Sequence, residues 1–320
     1  MKPIIGVDVG GTKIAVALAR HDGTIIERSK RRTKAELGPE GVIHRIAETI
    51  QQTLDSADMT PKQFLAVGLG MPGPLNPDKG IIYHTPNLPG WKNVPVADLL
   101  SSELNLPVYL ENDVNVGTMG EHALGAGIGT QDMVGIFVGT GIGGGVILGG
   151  KLHSGHRSGA GELGHMVVAA GGPYCGCGRQ GCIEAVASRT AVVRAIKAGV
   201  AAGRTHKLSE DGEMPERITS GTIARAWERK CPLTREIISR TQWYLGLHAA
   251  SIINMIDPEM LVYGGGLVEA FGDAFLKPLI ATAKQYMLQH TGPETRIVTA
   301  KLGDDAGTLG AAVMARQRIS

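Results

Sequence analysis

The chain contains the order strand, glycine-rich turn, strand twice, once at its beginning and once near its middle. The first copy joins an apolar run at residues 4–8 to alternating residues at 14–18 through Gly10-Gly11-Thr12. The second copy joins residues 133–138 to residues 146–148 through a turn at 139–145. Apolar runs that flank short glycine turns are typical of antiparallel hairpins. Two copies this far apart predict two related domains, not a short-period repeat.

Glycine is frequent, at 46 of 320 residues, whereas aromatic residues make up only 4%. The glycines alternate with runs of Val, Ile and Leu, which disordered segments lack. Lys+Arg 32 against Asp+Glu 30 gives a net charge of +2. The one dense basic run, at residues 28–34, is short and is interpreted as a solvated strand edge. We therefore expect no nucleic-acid partner.

The length of the chain predicts roughly two domains, at about 150 residues per domain. No apolar stretch approaches the roughly 20 residues of a membrane helix, and the first residues lack a signal-peptide pattern. We expect a cytoplasmic protein without a membrane partner.

Periodicity places helices and strands between the turns. Val42, Ile46 and Ile50 recur at helical spacing and predict a helix over 39–55. Further helices are expected over 188–201, over 234–256 and from about residue 305, and strands over 64–69, 107–110 and 260–263. The polar stretch 203–215 is interpreted as a loop.

The two glycine turns are candidates for phosphate binding, because such turns expose several backbone N–H groups. Gly139, Gly141 and Gly144 match G-x-G-x-x-G, but that dinucleotide fingerprint must open a helix, and here a strand follows. A Walker A loop is excluded because Thr12, not lysine, follows the first glycines. An ordinary hairpin is the alternative for either turn alone.

Two aspartates lie where such chemistry could use them. Asp8 ends the first strand and could hold Mg²⁺ through water, while Thr12 and Lys13 face the phosphates. A turn-forming aspartate is the alternative. Asp113 ends the motif Glu111-Asn112-Asp113 after a strand and is predicted to cap the next helix.

Four soft metal ligands fall in one segment: His165, Cys175, Cys177 and Cys182. Cys₃His is the ligand set of a closed tetrahedral site, so we predict structural zinc. A C-x-C disulfide would be strained and would leave one cysteine unpaired. Zinc would take one ring nitrogen of His165, leave the other for hydrogen bonding, and place Glu162 and Glu184 nearby. A loop that only braces the fold is the alternative, and Cys231 is interpreted as an inert thiol.

Together these motifs resemble the ROK family of sugar kinases and repressors. The resemblance rests on residues 8–13, Glu111-Asn112-Asp113, the turn at 139–145, Glu162-Leu163-Gly164-His165 and the segment 175–184. The H…C-x-C-x4-C-x-E arrangement is highly specific, and the match runs from the first strand to the last helix. Through residues 70–74 and 86–91 the chain is most similar to the family's bacterial glucokinases.

The resemblance implies an α/β fold of two domains. This is the actin-like ATPase (ribonuclease H-like) fold, with duplicated βββαβαβα-type domains and a zinc loop, in which sugar and ATP meet between the domains. The expected small N-terminal domain comprises residues 1–113 and about 305–320. The expected large domain, residues 114–304, carries the zinc loop and the nucleoside-binding part.

The resemblance also implies roles for single residues. Asp113 is the expected catalytic base, which orients the sugar hydroxyl and accepts its proton. Expected sugar contacts are Gly70, Gly73, Asn87, Asn112, Asp113, Glu162, His165 and Glu184. Expected phosphate contacts are Gly10, Gly11, Thr12, Lys13, Gly139, Thr140, Gly141, Gly143 and Gly144, with Gly264, Gly265 and Gly266 toward the adenosine. Asp8 completes the expected cofactor-binding set through Mg²⁺. The expected metal ligands are His165, Cys175, Cys177 and Cys182.

The expected activity is ATP- and Mg²⁺-dependent phosphorylation of the 6-hydroxyl of D-glucose by a protein with structural Zn²⁺. N-acetylglucosamine, N-acetylmannosamine, mannose or fructose as the acceptor, and polyphosphate as the donor, remain open. A sugar-sensing regulator is disfavoured, because Asp113 and both turns are retained and the first hairpin begins at Ile4 without room for a DNA-binding domain. The resemblance alone implies a homodimer or homotetramer.

Overall fold

Two compact units make up the computed structural model, which describes residues 2–85, 88–290 and 292–319. Unit 1 contains residues 1–131, 145–161 and 304–320, and unit 2 contains residues 132–144 and 162–303. The predicted boundary at Asp113 differs from this division, because residues 114–131 and 145–161 lie in unit 1. Among the described residues, no helix has the length and apolar character needed to span a membrane.

The elements are numbered in chain order. The strands are β1 Ile4–Val9, β2 Lys13–Ala19, β3 Ile25–Arg32, β4 Val67–Met71, β5 Leu75–Asn76, β6 Ile81–His84, β7 Lys92–Val94, β8 Val108–Asn112, β9 Met133–Val138, β10 Ile142–Leu148, β11 Lys151–Leu152, β12 Met260–Gly264 and β13 Arg296–Thr299. The helices are α1 Gly38–Ser56, α2 Val96–Leu104, α3 Asp113–Leu124, α4 Ile183–Ala187, α5 Arg189–Ala201, α6 Ser220–Glu228, α7 Pro232–Ile256, α8 Gly266–Phe271, α9 Asp273–Tyr286 and α10 Ala306–Ile319.

The main sheet of unit 1 has the strand order β3-β2-β1-β4-β8. β1, β2 and β3 pair antiparallel, as the predicted hairpins require, whereas β4 runs parallel to both β1 and β8. The register aligns Asp8 with Gly70, and Gly70 with Glu111. The carboxyl ends of three parallel strands therefore meet at one edge, which Asp8 and the residues after β8 share.

The second sheet has the strand order β11-β10-β9-β12-β13, in which β9, β12 and β13 are parallel. Gly264 aligns with Phe137, so β9 and β12 also end at one edge. Both sheets thus place three consecutive strands first and then add two parallel strands on the other side. This shared order is what two related domains require. β5, β6 and β7 form a separate small antiparallel sheet.

Most elements lie where periodicity predicts them. α1 buries Val42, Ile46 and Ile50 as predicted. β4 begins later than the predicted strand, at Val67, and β10 begins earlier, at Ile142. β3 forms the edge of its sheet, where Arg28, Lys30 and Arg32 are exposed. Two of these side chains pair with residues before α10, as for Lys30 with Asp304 at 2.7 Å. The basic run is therefore a solvated strand edge, as predicted.

Backbone-to-backbone packing holds α10 on the sheet of unit 1. A Cβ atom on Gly6 of β1 would overlap the carbonyl oxygen of Thr308, and one on Gly68 of β4 would overlap that of Ala311. A Cβ on Gly310 of α10 would overlap the carbonyl oxygen of Val116 in α3. Glycine is required at these positions because any side chain would push the helix away from its neighbours.

We expect Gly310→Ala to lower the free energy of unfolding by at least about 2 kcal/mol, because the added methyl group must displace α3 from α10. Gly159→Ala is the matched control, since a Cβ there meets no described atom within 4 Å. The control should change stability by less than about 0.5 kcal/mol. Urea unfolding followed by circular dichroism measures both variants, and equal midpoints would contradict the tight contact.

Candidate active site

The first glycine turn lies in unit 1 between β1 and β2, where Gly11 and Thr12 link the strands. The N–H of Gly10 donates to the carbonyl oxygen of Lys13 at 2.8 Å and closes the turn. Thr33, directly after β3, donates its hydroxyl to the carbonyl oxygen of Gly10 (2.7 Å) and its N–H to that of Thr12 (3.1 Å). Thr33 is fully buried and fixes the turn, a role that the sequence analysis missed.

Asp8 lies at the end of β1 against the first turn of α10. A Cβ atom on Gly307 would lie 2.7 Å from Asp8 Cγ, so the carboxyl group touches the helix backbone. Burial raises the pKa of Asp8, and the positive charges of Lys13 and Lys30 oppose that rise. Lys13 Nζ also lies 3.9 Å from a carboxylate oxygen of Asp304. The structure thus brings Asp8 and Lys13 together beside the first turn.

The junction of β8 and α3 places Asn112 and Asp113 at the carboxyl edge of the unit 1 sheet. The predicted cap was wrong: Asn112 caps α3, because its side-chain oxygen accepts the N–H groups of Val114 (2.9 Å) and Asn115 (3.2 Å). Asp113 is the first residue of the helix, and its Oδ1 accepts the N–H of Val114 at 3.0 Å. Both residue types are good caps, so only the backbone conformation decides between them.

Glu111, the residue before Asn112, stabilises this junction through hydrogen bonds. The sequence analysis assigned it no role. It is buried, and its Oε1 accepts the N–H of Asn112 (2.9 Å) and the side-chain amide of Asn115 (3.0 Å). The carboxylate thereby fixes the residue before Asp113. The sequence signal that could have indicated this role was an acidic residue directly after the apolar Leu110, at the end of a predicted strand.

Gly70 and Gly73, two of the predicted sugar contacts, lie at the end of β4 and in the turn after it. A Cβ on Gly70 would lie 2.6 Å from Val116 Cγ2 and 3.6 Å from Asp113 Cα, so Gly70 lets α3 begin close to the sheet. Gly73 has a φ of 105°, and a Cβ there would lie 2.5 Å from the carbonyl oxygen of His84. The predicted contact Asn87 lies outside the described residues.

The second glycine turn lies in unit 2 and is shorter than predicted. Because β10 begins at Ile142, only residues 139–141 form the turn, and Gly143 and Gly144 are strand residues. The N–H of Gly139 closes the turn on the carbonyl oxygen of Gly141 at 2.9 Å. Gly144 has a packing reason instead, since a Cβ there would overlap the side chain of Leu163.

The first residues of α5 hold this turn. Arg189 donates its N–H to the carbonyl oxygen of Gly139 at 2.9 Å, and Thr190 donates its hydroxyl to that of Thr140 at 2.7 Å. The Arg189 guanidinium also donates to the hydroxyl of Thr140. A positive charge therefore lies on the predicted phosphate turn, and no sequence motif pointed to Arg189.

Gly264, Gly265 and Gly266 join β12 to α8 beside that turn. Gly265 has a φ of 87°, and a Cβ there would lie 2.8 Å from both the nitrogen and the oxygen of Val138, the residue before Gly139. Gly264 packs as closely on Phe137, where its Cβ would lie 2.8 Å from the ring. The structure therefore brings the predicted adenosine glycines and the second turn to one edge of the sheet in unit 2.

The four predicted metal ligands lie together in unit 2. The ligand atoms of His165, Cys175, Cys177 and Cys182 all fall within 4.8 Å of one another. Cys175 Sγ lies 3.7 Å from His165 Nδ1, and Cys177 Sγ lies 3.7 Å from Cys182 Sγ. A tetrahedral site with zinc–sulfur bonds of about 2.3 Å separates its sulfur ligands by about 3.8 Å. The donor set therefore fits zinc in both type and spacing.

The surroundings of the cysteine thiols differ. The backbone N–H of Arg179 lowers the pKa of Cys177 to about 7, toward the thiolate that a metal requires. Burial instead raises the pKa of Cys175 to about 12 and also raises that of Cys182. Metal binding at this cluster would thus displace protons from two buried thiols.

His165 presents its two ring nitrogens to different partners. Nδ1 faces the cysteines, and Nε2 lies 3.9 Å from Glu162 Oε2. The side chains of His165 and Glu162 are 36% and 67% exposed, so both can meet a ligand. This orientation agrees with the predicted use of one nitrogen for the metal and the other for hydrogen bonding.

Glu184 is the second residue of α4 and lies between the cluster and the second turn. Its Oε1 accepts a hydrogen bond from the thiol of Cys175 at 3.4 Å, and its Oε2 accepts one from the N–H of Ile142 at 3.0 Å. Both oxygens of the predicted sugar ligand are therefore engaged within unit 2.

His248 of α7 supports the segment that carries Glu162 and His165. It is fully buried, and its Nε2 lies 3.0 Å from the carbonyl oxygen of Leu163. Because a carbonyl can only accept, Nε2 carries the hydrogen. Burial lowers the pKa of His248 to about 4, although the bond to Leu163 opposes that shift. Its sequence context, a histidine in a helix, gave no sign of this role.

Each unit by itself contains groups of the kinds that phosphoryl transfer uses. Unit 1 supplies a glycine turn with Asp8 beside it, and a carboxylate at the start of α3. Unit 2 supplies a second glycine turn with Arg189 on it, and two glutamates and an imidazole near the metal cluster. Such transfer depends on backbone donors, positive charge and one oriented carboxylate.

Comparison with known proteins agrees with this chemistry. The profile of the ROK family matches residues 4–318. The glucokinase of Thermotoga maritima is 38% identical over 99% of this chain and 98% of its own length. A ROK family glucokinase from Streptomyces griseus, solved in complex with glucose and AMPPNP, has a TM-score of 0.85 at 32% identity and covers 98% of this chain and 99% of that one. The xylose repressor of Caldicellulosiruptor bescii is 31% identical over 97% of this chain and 77% of its own length.

We expect acid to destabilise the protein through His248. Its pKa is about 4 when folded, against an ordinary value of 6.5, so the unfolded chain binds the proton more readily. The resulting stability is complete above pH 6.5 and is lost as the pH falls toward 4, by up to about 3 kcal/mol. His248→Gln keeps an N–H donor without a titrating group. Urea unfolding at several pH values should show a flatter pH dependence for the variant, and identical slopes would contradict the assignment.

Proposed function

This chain belongs to the ROK family, and we propose that it acts as a glucokinase, which transfers the γ-phosphoryl group of ATP to the 6-hydroxyl of D-glucose. The observation that carries the proposal is the full-length similarity to glucokinases, at 38% identity to the Thermotoga maritima protein. The chain also holds Asp113 at the first position of α3 and two glycine turns at sheet edges. In the Streptomyces griseus glucokinase, a similar fold binds glucose and AMPPNP.

Asp113 is the proposed catalytic base. Its carboxylate accepts the proton of the 6-hydroxyl while the hydroxyl oxygen forms a bond to the γ-phosphorus. The bond from that phosphorus to the β,γ-bridging oxygen breaks, and ADP leaves with the electron pair. Asn112 fixes the first turn of α3 and Glu111 fixes Asn112, so both keep the Asp113 carboxylate in one orientation.

The sugar is proposed to bind through side chains that can offer hydrogen bonds to its hydroxyls. Carboxylates and amides suit a pyranose because each can bind two neighbouring hydroxyls. The exposed side chain of Glu162 and the half-exposed ring of His165 support this role. The full proposed set is Gly70, Gly73, Asn87, Asn112, Asp113, Glu162, His165 and Glu184.

The glycine turns are proposed to bind the phosphates of ATP. Turns that are held rigid by Thr33 on one side and by Arg189 and Thr190 on the other pre-orient their backbone donors. Mg²⁺, when bound, neutralises charge on the β- and γ-phosphates, and Asp8 would hold it through water. The proposed set is Asp8, Gly10, Gly11, Thr12, Lys13, Gly139, Thr140, Gly141, Gly143 and Gly144, with Gly264, Gly265 and Gly266 toward the adenosine.

Zinc is proposed as a structural ion held by His165, Cys175, Cys177 and Cys182. A Cys₃His set closes the tetrahedron, so the ion supplies fixed geometry and no open position for substrate. It would orient His165, and with it the segment that carries Glu162. The short ligand distances in the cluster support this role.

A homodimer or homotetramer in the cytoplasm completes the proposal. Exposed apolar side chains of unit 2 offer surface that a second copy could cover: Trp243, Met255, Tyr286 and Leu288. A division into a small domain ending near Asp113 and a large domain also remains a proposal.

Two alternatives have support of their own. The pocket around C2 of the sugar decides between hexoses, and a few contacts suffice to shift that preference. The similarity to the Caldicellulosiruptor bescii xylose repressor favours a sugar-binding regulator as the second candidate. Only the kinase turns over ATP.

We expect the wild-type protein to phosphorylate glucose faster than N-acetylglucosamine, N-acetylmannosamine, mannose or fructose in a coupled ADP assay. Asp113→Asn should lower kcat by about 10²–10⁴-fold, the range of general-base catalysis, because an amide cannot accept the proton. Its KM for glucose should stay within about threefold, since the amide keeps the shape of the carboxylate. Glu48→Gln, a change of an exposed carboxylate on α1, is the matched control and should leave both constants unchanged.

No turnover on any hexose would reject the kinase in favour of a regulator. A near-normal kcat of Asp113→Asn would reject Asp113 as the base while leaving the activity intact.

We expect metal analysis of the purified protein to find about one zinc per chain. Cys177→Ser should lose the zinc and weaken glucose binding, because the segment around His165 loses its anchor. Cys231→Ser is the matched control, since Cys231 is buried outside the cluster. This variant protein should keep its zinc. Elemental analysis and calorimetry measure the two effects. A zinc-free, fully active wild-type protein would contradict the structural ion.

A further inference from the structure

We propose that Glu184 is a positioning residue for the nucleotide turn, in addition to its proposed contact with the sugar. One carboxylate would then couple the metal cluster and the sugar site to the turn that takes the phosphates of ATP. The inference rests on the proposed function, which assigns the turn at 139–141 to ATP.

The contact between Glu184 and the turn is direct. Oε2 accepts the N–H of Ile142, the first residue after the turn, at 3.0 Å. A Cβ atom on Gly141 would overlap the same oxygen, so the carboxylate also lies against the turn itself. A hydrogen bond from a backbone N–H to a carboxylate is charge-assisted and stronger than a neutral one. Glu184 therefore fixes the end of the turn where β10 begins.

The metal cluster fixes Glu184 in turn. Cys182 directly precedes α4, so Glu184 lies two residues after a proposed metal ligand, and Glu184 Oε1 lies 3.4 Å from Cys175 Sγ. The N–H of Ile183 donates to the carbonyl oxygen of Met166 at 2.9 Å and ties the start of α4 to the residue after His165. The position of the carboxylate thus depends on the folded metal loop.

The same segment also holds the other end of the turn. The N–H of Ser188 donates to the carbonyl oxygen of Glu184 at 3.2 Å, and the next two residues, Arg189 and Thr190, bond to Gly139 and Thr140. Residues 182–190 therefore make hydrogen bonds to both ends of the turn. Within this segment, Glu184 is the residue that contacts both the turn and a cysteine of the metal cluster.

The test compares Glu184→Gln with Glu184→Ala in the zinc-loaded protein. Calorimetry with Mg²⁺ and the ATP analogue AMPPNP, without sugar, measures nucleotide affinity, and hydrogen exchange measures protection of the Ile142 amide. Gln keeps a carbonyl oxygen for the Ile142 N–H, so its Kd for the analogue should stay within about twofold of the wild type. Ala should weaken nucleotide binding by about five- to tenfold, as expected for one lost charge-assisted hydrogen bond, and should expose the amide.

Glu162→Ala is the control for a sugar contact that does not touch the turn. It should weaken glucose binding and leave the analogue's Kd and the Ile142 exchange unchanged. Both Glu184 variants should weaken glucose binding as well, so only nucleotide binding separates the two roles.

The proposal is overturned if Glu184→Ala matches the wild type in nucleotide affinity and Ile142 exchange, or if Gln weakens nucleotide binding as much as Ala does. If Glu184→Ala does not fold or loses zinc, Glu184→Asp replaces it. A carboxylate one methylene shorter should fail to reach Ile142 and expose its amide, and full protection would overturn the proposal. Failure of the wild type to bind AMPPNP would reject the proposed function instead. The two failures are distinguishable, because the exchange of the Ile142 amide tests the contact with Glu184 without any nucleotide.

Discussion

The direct contact of the α10 backbone with β1, β4 and α3 is the constraint on which unit 1 depends. Gly6, Gly68 and Gly310 leave no side chain between these elements, so the helix cannot shift without breaking several contacts at once. The beginning of α10 then lies on Asp8, and α3 begins beside Gly70. The positions of Asp8 and of the start of α3 at this edge are therefore set by how closely the backbones of these four elements pack.

Local patterns explain how much of the fold could be predicted. The hairpins, α1 and β9 follow from turn residues and apolar spacing within short windows. The start of β10 could not be predicted in this way, because Gly143 and Gly144 look like turn residues. Gly144 is required by the packing of Leu163, which lies in a different segment. A glycine that a long-range packing contact requires thus has the same appearance in the sequence as a glycine that a turn requires.

The residues of the candidate site also differ in whether the sequence alone could identify them. Asp113 and the Cys/His cluster could be found from motifs, because their residue types and spacing carry the chemistry. Thr33, Arg189 and His248 could not, since each acts through a hydrogen bond to a residue that only the fold brings near. Glu111 bonds residues next to it in the chain, but no motif marks it for that role. Motifs identify the groups proposed for chemistry and for metal binding, whereas most of the residues that hold those groups in place depend on tertiary structure.

The capping of α3 by Asn112 restricts what that residue can offer a ligand. Its side-chain oxygen already accepts two backbone N–H groups, so the amide nitrogen is what it has for a sugar, and only as a donor. A ligand atom that bonds the Asn112 side chain must therefore accept a hydrogen bond. Aspartate would cap the helix equally well but has no donor. Helix capping alone would tolerate either residue, whereas capping together with a donor for a ligand requires asparagine.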